Sequence, residues 1–245
     1  MSKIHLVPPD AVRVWRGFRS PSLKISDFFE RLSTVFVPAT VEMQTKIGLA
    51  SYIPTIPGGV ENKPDTVPDE TAILYWNSQD TYHDGFKTLA VRTYTLTHGS
   101  VYTSDSRADF PTFFKGTLQE NEPCYLVDQP ADWMNGNVNH IVGGKPPGMT
   151  STEFAEKVAS IVSQIQKEGK IDGGVVCVGP DYLVYWELGE TLSSGYAELQ
   201  ALIDWKLCVN PKPTSLPKGL WEVWPGMDIK PGDGFNMQFK RNDHE

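Results

Sequence analysis

Histidines are the side chains best suited to proton transfer near neutral pH, and three of the five in this chain lie away from its ends. His83 precedes Asp84 in the first turn of a predicted helix, where a carboxylate can raise the pKa of a histidine towards that of a general base. His140 alternates with valines along a predicted strand, and His98 begins a polar connection. We predict His83, Asp84, His140 and His98 as candidate catalytic residues.

Each of these histidines also has a structural interpretation that the sequence leaves open. His83 with Asp84 can be a solvent-facing pair in which the carboxylate favours the helix dipole. His140 can be a buried residue with satisfied ring nitrogens, and His98, directly before Gly99, can belong to the end of a helix.

A cation beside an aromatic ring is the second chemical feature. Arg13 and Trp15 share one face of the first predicted strand, and together they could bind a carboxylate while the indole stacks on an aromatic ligand. Tyr75 and Trp76 on a later strand and Phe86 on the following helix add aromatic surface. We predict these five residues as the substrate-binding set; the alternative is an arginine that only packs on a tryptophan.

Motifs for bound cofactors are missing from the sequence. No two histidines have the spacing of metal ligands, and no P-loop, GxSxG elbow or GxGxxG within a βαβ context occurs. We therefore predict no metal site and no cofactor, with haem as the alternative to be tested.

Charge and composition limit the partners. The 245 residues carry a net charge of −8, which disfavours binding to nucleic acid or to an anionic membrane surface. The sequence has no stretch of 18 uninterrupted apolar residues and no signal-peptide pattern at its start. We expect a cytoplasmic protein with a small-molecule partner, without nucleic-acid or membrane partners, and compatible with a homo-oligomer.

The elements that would position these residues occur twice. Residues 12–32 align with 138–158 at a shift of 126, and residues 73–96 align with 183–206 at a shift of 110, which places Tyr75-Trp76 on Tyr185-Trp186. The difference between the shifts indicates an insertion in the Pro- and Gly-rich stretch 56–68 of the first copy.

Two units therefore follow from the repeat: residues 1–120, with the insertion at 56–68, and residues 121–245. Because the copies differ most at the insertion, we predict that the first unit holds the pocket and that the inserted loop acts as its lid.

Each copy shows the order β-α-β-β-α-β. The second copy has a capping box at Thr150–Glu153 and a hairpin through Gly179–Asp181. In the first copy we expect Pro38 to kink a helix and Asp80 or Thr81 to cap the next one. The predicted last strands are residues 110–115 and 220–224.

This arrangement, with Tyr75-Trp76 and Tyr185-Trp186 on the third strand of each copy, resembles the dimeric α/β barrel superfamily in a tandem form. The resemblance covers nearly the whole chain and implies an α+β protein of two tandem βαββαβ ferredoxin-like units. Their antiparallel sheets would pack as an α/β barrel, with pockets between each sheet and its helices. The superfamily includes cofactor-free monooxygenases, muconolactone-isomerase-like and EthD-like proteins, and haem-binding groups.

Three functional hypotheses follow. The first is a small-molecule enzyme with an apolar, aromatic-lined pocket, of the cofactor-free oxygenase, isomerase or lyase type, in which a histidine shuttles a proton. The second is a non-catalytic binder of a hydrophobic or aromatic ligand. The third is a haem enzyme of the aldoxime dehydratase or chlorite dismutase type, which needs an axial ligand, usually histidine.

Overall fold

The computed structural model describes residues 6–45, 47–215 and 227–238. The strands of this part of the chain form two six-stranded sheets. The first sheet has the order β11-β12-β2-β3-β1-β4 and the second the order β10-β7-β9-β8-β6-β5. The strands are β1 (Val12–Gly17), β2 (Leu49–Thr55), β3 (Glu70–Trp76), β4 (Arg107–Asp109), β5 (Thr112–Phe113), β6 (Cys124–Tyr125), β7 (Val138–Gly144), β8 (Gly173–Val178), β9 (Tyr182–Leu188), β10 (Lys206–Val209), β11 (Lys212–Ser215) and β12 (Phe235–Gln238).

Helices cover the outer face of each sheet. The first sheet is covered by the four helices that precede residue 98, and the second by the two that follow residue 150. The helices are α1 (Ile25–Arg31), α2 (Val37–Thr45), α3 (Gln79–Phe86), α4 (Leu89–Thr97), α5 (Ser151–Glu168) and α6 (Ser194–Leu202). The predicted α+β class is confirmed.

Four neighbouring strands at one end of each sheet repeat one pattern. In the first sheet they lie in the order β2-β3-β1-β4 and in the second in the order β8-β9-β7-β10, and every neighbouring pair is antiparallel. This is the strand order of a split βαβ unit, and it agrees with the β-α-β-β-α-β order predicted for both halves.

The chain that follows each four-stranded group extends the opposite sheet. After β4 the chain adds β5 and β6 to the second sheet, where β6 pairs with β8. After β10 it adds β11 and β12 to the first sheet, where β12 pairs with β2. β5 of the first half therefore extends the second sheet through its pairing with β6, and β11 and β12 of the second half extend the first sheet, which ties the two halves together.

Three layers of buried side chains follow from this arrangement. One hydrophobic cluster lies between the two sheets and includes Val12 and Ile73 from the first and Val142 and Trp186 from the second. The other two clusters lie between each sheet and its helices. The sheets pack face to face, but no strand of the described residues pairs from one sheet to the other, so they do not close into a single hydrogen-bonded barrel.

Local sequence signals explain the helix ends. Thr150 accepts a hydrogen bond from the backbone N–H of Glu153, and Glu153 accepts one from the N–H of Thr150, which confirms the predicted capping box of α5. In the first half a π-helical turn, Leu32–Phe36, separates α1 from α2. Since Pro38 has no N–H to donate to the preceding turn, it accounts for this break, as predicted.

Some predicted boundaries are wrong. Ser78, rather than Asp80 or Thr81, accepts the capping hydrogen bond of α3, and Thr88 caps a separate helix, α4. The fourth strand of the first half is β4, before the predicted residues 110–115, because the buried Pro111 cannot donate to a ladder and the chain then crosses to the second sheet. In the second half β10 takes this place; the predicted strand 220–224 lies outside the described residues.

The predicted alignment of Tyr75-Trp76 with Tyr185-Trp186 is also wrong. Tyr75 lies between the sheets, whereas Tyr185 faces the helices. The ladders give the match: Val12 pairs with Tyr75 in the first sheet, and Val138 pairs with Leu188 in the second. Val12 and Val138 are related by the shift of 126. Their partners, Tyr75 and Leu188, are therefore equivalent, and the shift between the third strands is 113 rather than 110. A three-residue error reverses the face, since side chains alternate along a strand.

The inserted loop 56–68 packs across the molecule. Gly144 of the second half lies against its Pro64 and Val67, and the indole N–H of Trp205 donates to the carbonyl oxygen of Glu61. The loop thus joins the ends of the two sheets. Within the described ranges, no helix is both long enough and apolar enough to cross a membrane.

Candidate functional site

A buried carboxylate receives several hydrogen bonds on the helix-covered face of the first sheet. Glu70, the first residue of β3, is 2% exposed and faces the helices of the first sheet. The indole N–H of Trp15 donates to its Oε2 over 2.8 Å. The hydroxyl groups of Tyr52 and Tyr102 donate to its Oε1 and Oε2. Three donors therefore converge on one carboxylate.

The environment of Glu70 has opposing effects on its protonation. Burial raises the pKa of the Glu70 carboxyl, while the hydrogen bonds from Tyr102, Tyr52 and Trp15 act to lower it. Burial also raises the pKa of both tyrosines well above the ordinary range, and the charge of Glu70 adds to this. We therefore expect the tyrosines to remain protonated donors whichever state the carboxyl adopts.

His98 lies against the same cluster, in a 3₁₀ turn after α4. Its ring contacts Tyr94, Phe36 and Trp15, with centroid distances of 4.9, 5.2 and 5.5 Å. Nδ1 lies 3.1 Å from the carbonyl oxygen of Thr95. Because a carbonyl only accepts, Nδ1 carries the proton of the neutral ring and Nε2 carries the lone pair. Burial lowers the pKa of His98, which favours this neutral form.

A cation lies on the same side of the sheet. The guanidinium of Arg13 lies 4.4 Å from the ring centroid of Tyr82 and 5.9 Å from that of Phe110. Its Nη2 donates to the carbonyl oxygen of Ala108 over 2.9 Å. Burial lowers the pKa of Arg13, but an arginine remains charged at neutral pH.

The helix that covers the cluster is held by a hydroxyl pair. Thr40 donates to the carbonyl oxygen of Phe36, the last residue of the π-helical turn, over 2.8 Å. Since the Thr40 proton is used in this bond, the hydroxyl of Tyr94 donates to Thr40. The pair fixes Tyr94 beside His98 and ties α4 to the irregular helix.

Several of the predicted residues meet on this face. Arg13, Trp15 and His98 are half-buried there, and Trp76 and Phe86 pack on Tyr82 with centroid distances of 4.9 and 5.2 Å. His83 and Asp84 are exposed on α3 nearby, and Asp84 forms an ion pair with Lys87 rather than with the histidine. The pKa of Asp84 is lowered by that lysine.

His140 and Tyr75 belong to a different layer, between the sheets. Nδ1 of His140 donates to the carbonyl oxygen of Tyr185 over 2.8 Å, so Nε2 accepts the hydroxyl proton of Thr71 over 2.9 Å. The ring stacks on Trp186 at 4.0 Å, and burial lowers the pKa of His140 to about 3. Both ring nitrogens are thus engaged within the protein, which fits the structural interpretation of this residue.

The second sheet also buries a carboxylate on its helix-covered face, but at another position. Glu187 is 1% exposed and accepts hydrogen bonds from the Tyr185 hydroxyl over 2.8 Å and from the backbone N–H and hydroxyl of Ser193 over 3.0 and 2.7 Å. The ladders match Glu187 to Leu74 rather than to Glu70.

When the two sheets are compared by their strand pairing, Ile141 occupies the position of Trp15, and Leu183 occupies the position of Glu70. Gly174 occupies the position of Tyr52. These three residues of the second sheet are buried among apolar side chains. The positions of Trp15, Tyr52 and Glu70 are therefore polar on the first sheet and not on the second.

A surface groove of about 560 Å³ lies beside α5 in the second half. Small, hydroxyl and acidic residues of α5 and of the loop 116–120 line it, and no histidine or aromatic ring contributes. Nor do the described residues contain a group of three or more His, Cys, Asp or Glu side chains placed to hold a metal ion.

Sequence reasoning missed Glu70, Tyr52, Tyr94 and Tyr102. Glu70 alternates with Ala72, Leu74 and Trp76 along an apolar strand, and a lone acid on an apolar face was the available signal. The three tyrosines carry no such signal, because long-range pairing of strands and helices decides which of them meet.

Comparison with known proteins adds three weak structural likenesses. No protein-family model matches the chain, and no curated protein does. A candidate monooxygenase of Fusobacterium nucleatum is 12% identical, with a TM-score of 0.37, and the match covers 81% of this chain and 89% of that one. A candidate monooxygenase of Lactobacillus acidophilus is 6% identical, with a TM-score of 0.33 and coverages of 80% and 90%.

The third is described as an anthrone oxidase-like protein; it is 13% identical, with a TM-score of 0.33 and coverages of 84% and 90%. At these TM-scores the likenesses assign neither a family nor an activity to the chain.

Proposed function

We propose that the protein is a small-molecule enzyme whose active site is the helix-covered face of the first sheet. One observation carries the proposal: a neutral histidine, a desolvated arginine and a triply hydrogen-bonded buried glutamate lie together among aromatic rings. Such groups cost stability in a protein interior, and the first sheet brings a histidine, an arginine and a carboxylate to one face, whereas the buried Glu187 of the second sheet is bonded to Tyr185 and Ser193. The ligand that fits these walls is planar and apolar or aromatic.

His98 is the proton acceptor in this proposal. Its lowered pKa keeps the ring neutral at pH 7, and Nε2 holds the lone pair. Arg13, which keeps its charge in a partly desolvated position, stabilises the anion that proton removal creates. Isomerases, lyases and cofactor-free oxygenases can all begin with this step; they differ in whether the anion is reprotonated elsewhere, expels a group or reacts with O₂.

Glu70 acts as a positioning residue. It accepts hydrogen bonds from Trp15 and Tyr102, both of which contact the ring of His98. The carboxylate thereby fixes the two aromatic walls that surround the base. Its burial behind these side chains places it outside the first contact with a substrate.

The division of the chain into units 1–120 and 121–245, their origin by duplication and their relation to the dimeric α/β barrel superfamily form part of the proposal. The matched strand orders and the crossed extensions of the sheets support them. In such a pair, one copy keeps the reactive face while the other serves as scaffold. We also propose that the reaction needs neither metal nor haem.

Proton exchange tests the proposal without knowledge of the natural substrate. 2-Tetralone, an aromatic ketone with acidic CH₂ groups, is incubated with the protein in D₂O, and the loss of its proton signals is followed by NMR. We expect exchange above the uncatalysed rate, reduced about 100-fold or more by His98→Gln. His83→Gln is the matched control, because His83 is an exposed histidine on a neighbouring helix. O₂ uptake by the same mixture identifies an oxygenase.

Binding of 2-tetralone, seen as quenching of tryptophan fluorescence, without exchange or O₂ uptake would favour the non-catalytic binder. Exchange that His98→Gln leaves unchanged would remove His98 from the mechanism. An intense visible absorption band in protein purified from its own source would favour the haem enzyme.

A further inference from the structure

A buried ion pair joins the inserted loop 56–68 to the start of β3. Nζ of Lys63 lies 3.4 Å from Oδ1 of Asp69, and the two side chains are 7% and 11% exposed. The same ammonium group donates to the carbonyl oxygens of Pro64 and Val67 over 3.0 and 2.7 Å. An ammonium group has three donors, so these contacts use all of them. A lysine buried to this degree costs stability unless it is paired, and the pairing therefore fixes where the loop lies.

Asp69 also connects the loop to the end of β1. Its backbone N–H donates to the carbonyl oxygen of Gly17 over 2.7 Å, and its own carbonyl oxygen accepts from the N–H of Gly58 over 2.9 Å. Its Oδ2 accepts from the backbone N–H of Arg19 over 2.8 Å. One aspartate thus holds the loop, the end of β1 and the start of β3 together.

The strand ends joined in this way lead directly to the proposed active site. Glu70 follows the aspartate in β3, and Gly17 is its partner in the ladder. A Cβ atom at Gly17 would lie 2.8 Å from Trp15 Nε1 and from a ring carbon of Tyr102, so the backbone packs closely against two donors of Glu70. Arg19 forms a β-bridge with Tyr102. A displacement of the ion pair would therefore alter the hydrogen bonds of the carboxylate cluster.

We propose that Lys63 and Asp69 are positioning residues of the active site: their ion pair holds the ends of β1 and β3 where Trp15 and Tyr102 can donate to Glu70. This inference rests on the proposed function and extends it to residues that do not touch the substrate. The inserted loop then acts as a fixed support for the site, and because it also contacts the second half, it makes the site dependent on both halves.

Lys63→Met tests the proposal, because it removes the charge and the three donors while an apolar stem remains. The indole N–H signal of Trp15 in a proton–nitrogen correlation NMR spectrum, identified by its loss in Trp15→Phe, reports on the bond to Glu70. In folded Lys63→Met we expect this signal to shift and the exchange of 2-tetralone to fall by about 10-fold or more. A loss of stability alone would move neither quantity in the folded protein.

Lys145→Met is the matched control. Lys145, in the second half, forms an ion pair with Asp181 over 3.2 Å and donates to the carbonyl oxygen of Met149. Its replacement should lower Tm without changing the indole signal of Trp15 or the exchange rate.

An unchanged indole signal or an unchanged exchange rate in folded Lys63→Met overturns the proposal, and so do equal effects of the control. If Lys63→Met does not fold, Asp69→Asn takes its place: the amide keeps an oxygen for the N–H of Arg19 but loses the charge that attracts the lysine, and the same two changes are expected. If the wild type catalyses no exchange, the proposed function fails, and the indole signal alone then decides whether the ion pair positions the cluster.

Discussion

The two helix-covered faces have the same strand order, and each buries a hydrogen-bonded carboxylate at a different position, Glu70 on the first sheet and Glu187 on the second. On the first sheet, Trp15 and Tyr52 donate to Glu70; on the second, the matched positions hold Ile141, Gly174 and Leu183. Both faces are buried, so burial alone does not distinguish them. The difference teaches that an antiparallel sheet covered by helices tolerates buried polar groups at different positions, provided that each donor finds an acceptor.

The helices that cover the two sheets differ in regularity. The second sheet is covered by α5, one regular helix of 18 residues with a capping box at Thr150. The helices of the first sheet contain a π-helical turn and a break, and they expose Val35, Leu89 and Leu96 by 53%, 79% and 82%. π-Turns are frequent at functional sites. The less regular cover lies over the face that carries the proposed active site.

Acid should produce the largest effect, in the layer that both halves share. The pKa of His140 is about 3 in the folded protein and near 6.5 when unfolded. The unfolded chain therefore binds the proton first, and the stability that His140 contributes is present above pH 6.5 and lost as the pH falls towards 3. We expect a loss of several kcal/mol over this range.

Urea unfolding at several pH values gives the unfolding free energy of the wild type and of His140→Gln as a function of pH. The difference between the two pH dependences measures the contribution of His140. Because His140 joins the sheets through Thr71, both halves should unfold in one transition. If the unfolding free energy of both proteins changed equally with pH, the prediction would be contradicted.

A matched pair of phenylalanines sharpens the comparison. Phe28 and Phe154, related by the shift of 126, are both 0% exposed, and each substitution by alanine should cost about 3–5 kcal/mol in unfolding free energy. Phe28 also packs on Tyr102 with a centroid distance of 5.9 Å. We therefore expect only Phe28→Ala to reduce the exchange of 2-tetralone at a temperature where both variants are folded. Equal losses of activity would place the site elsewhere.

Much of this symmetry could be predicted from residues 12–32 and 138–158, because caps and helix periodicity are local. The shift of 126 relates the first residue of α1, Ile25, to that of α5, Ser151. The third strands were misaligned because the aromatic pairs 75–76 and 185–186 match in sequence while strand pairing sets their faces. The crossing of β5 to the other sheet could not be predicted, since two residues carry no periodic signal.

The residues of the candidate site could be predicted only where local periodicity assigns a side chain to a face. Arg13, Trp15 and Phe86 could be assigned to one face by alternation or helix spacing. Glu70 becomes part of a hydrogen-bonded cluster only through Tyr52 and Tyr102, which lie 18 and 32 residues away in sequence. The sequence does not show that folding brings these residues together.

Replacing Glu70 by the residue found at the matched position should have the next largest effect. Glu70→Leu leaves the indole N–H of Trp15 and two tyrosine hydroxyl groups buried without an acceptor. We expect a loss of about 3 kcal/mol in unfolding free energy, measured in urea. Glu70→Gln, which keeps one carbonyl oxygen, should lose less. A cost below about 1 kcal/mol for Glu70→Leu would mean that the polar cluster has no structural role.

The smallest effect separates the two faces most directly. Trp15→Phe removes one donor from Glu70 and should cost about 1 kcal/mol or somewhat more through the lost bond and packing. The bond lowers the pKa of Glu70, so its loss raises that pKa further above the value in the unfolded chain. A raised carboxyl pKa means that stability is lost as the pH rises through the folded pKa.

Trp15→Phe should therefore cost more at pH 8 than at pH 5. Ile141→Val, at the matched position on the second sheet, is the control: it should cost about 0.5–1.5 kcal/mol at both pH values, because no carboxyl group lies at that position. The same pH dependence in both variants would show that the difference arises from the protein as a whole rather than from Glu70.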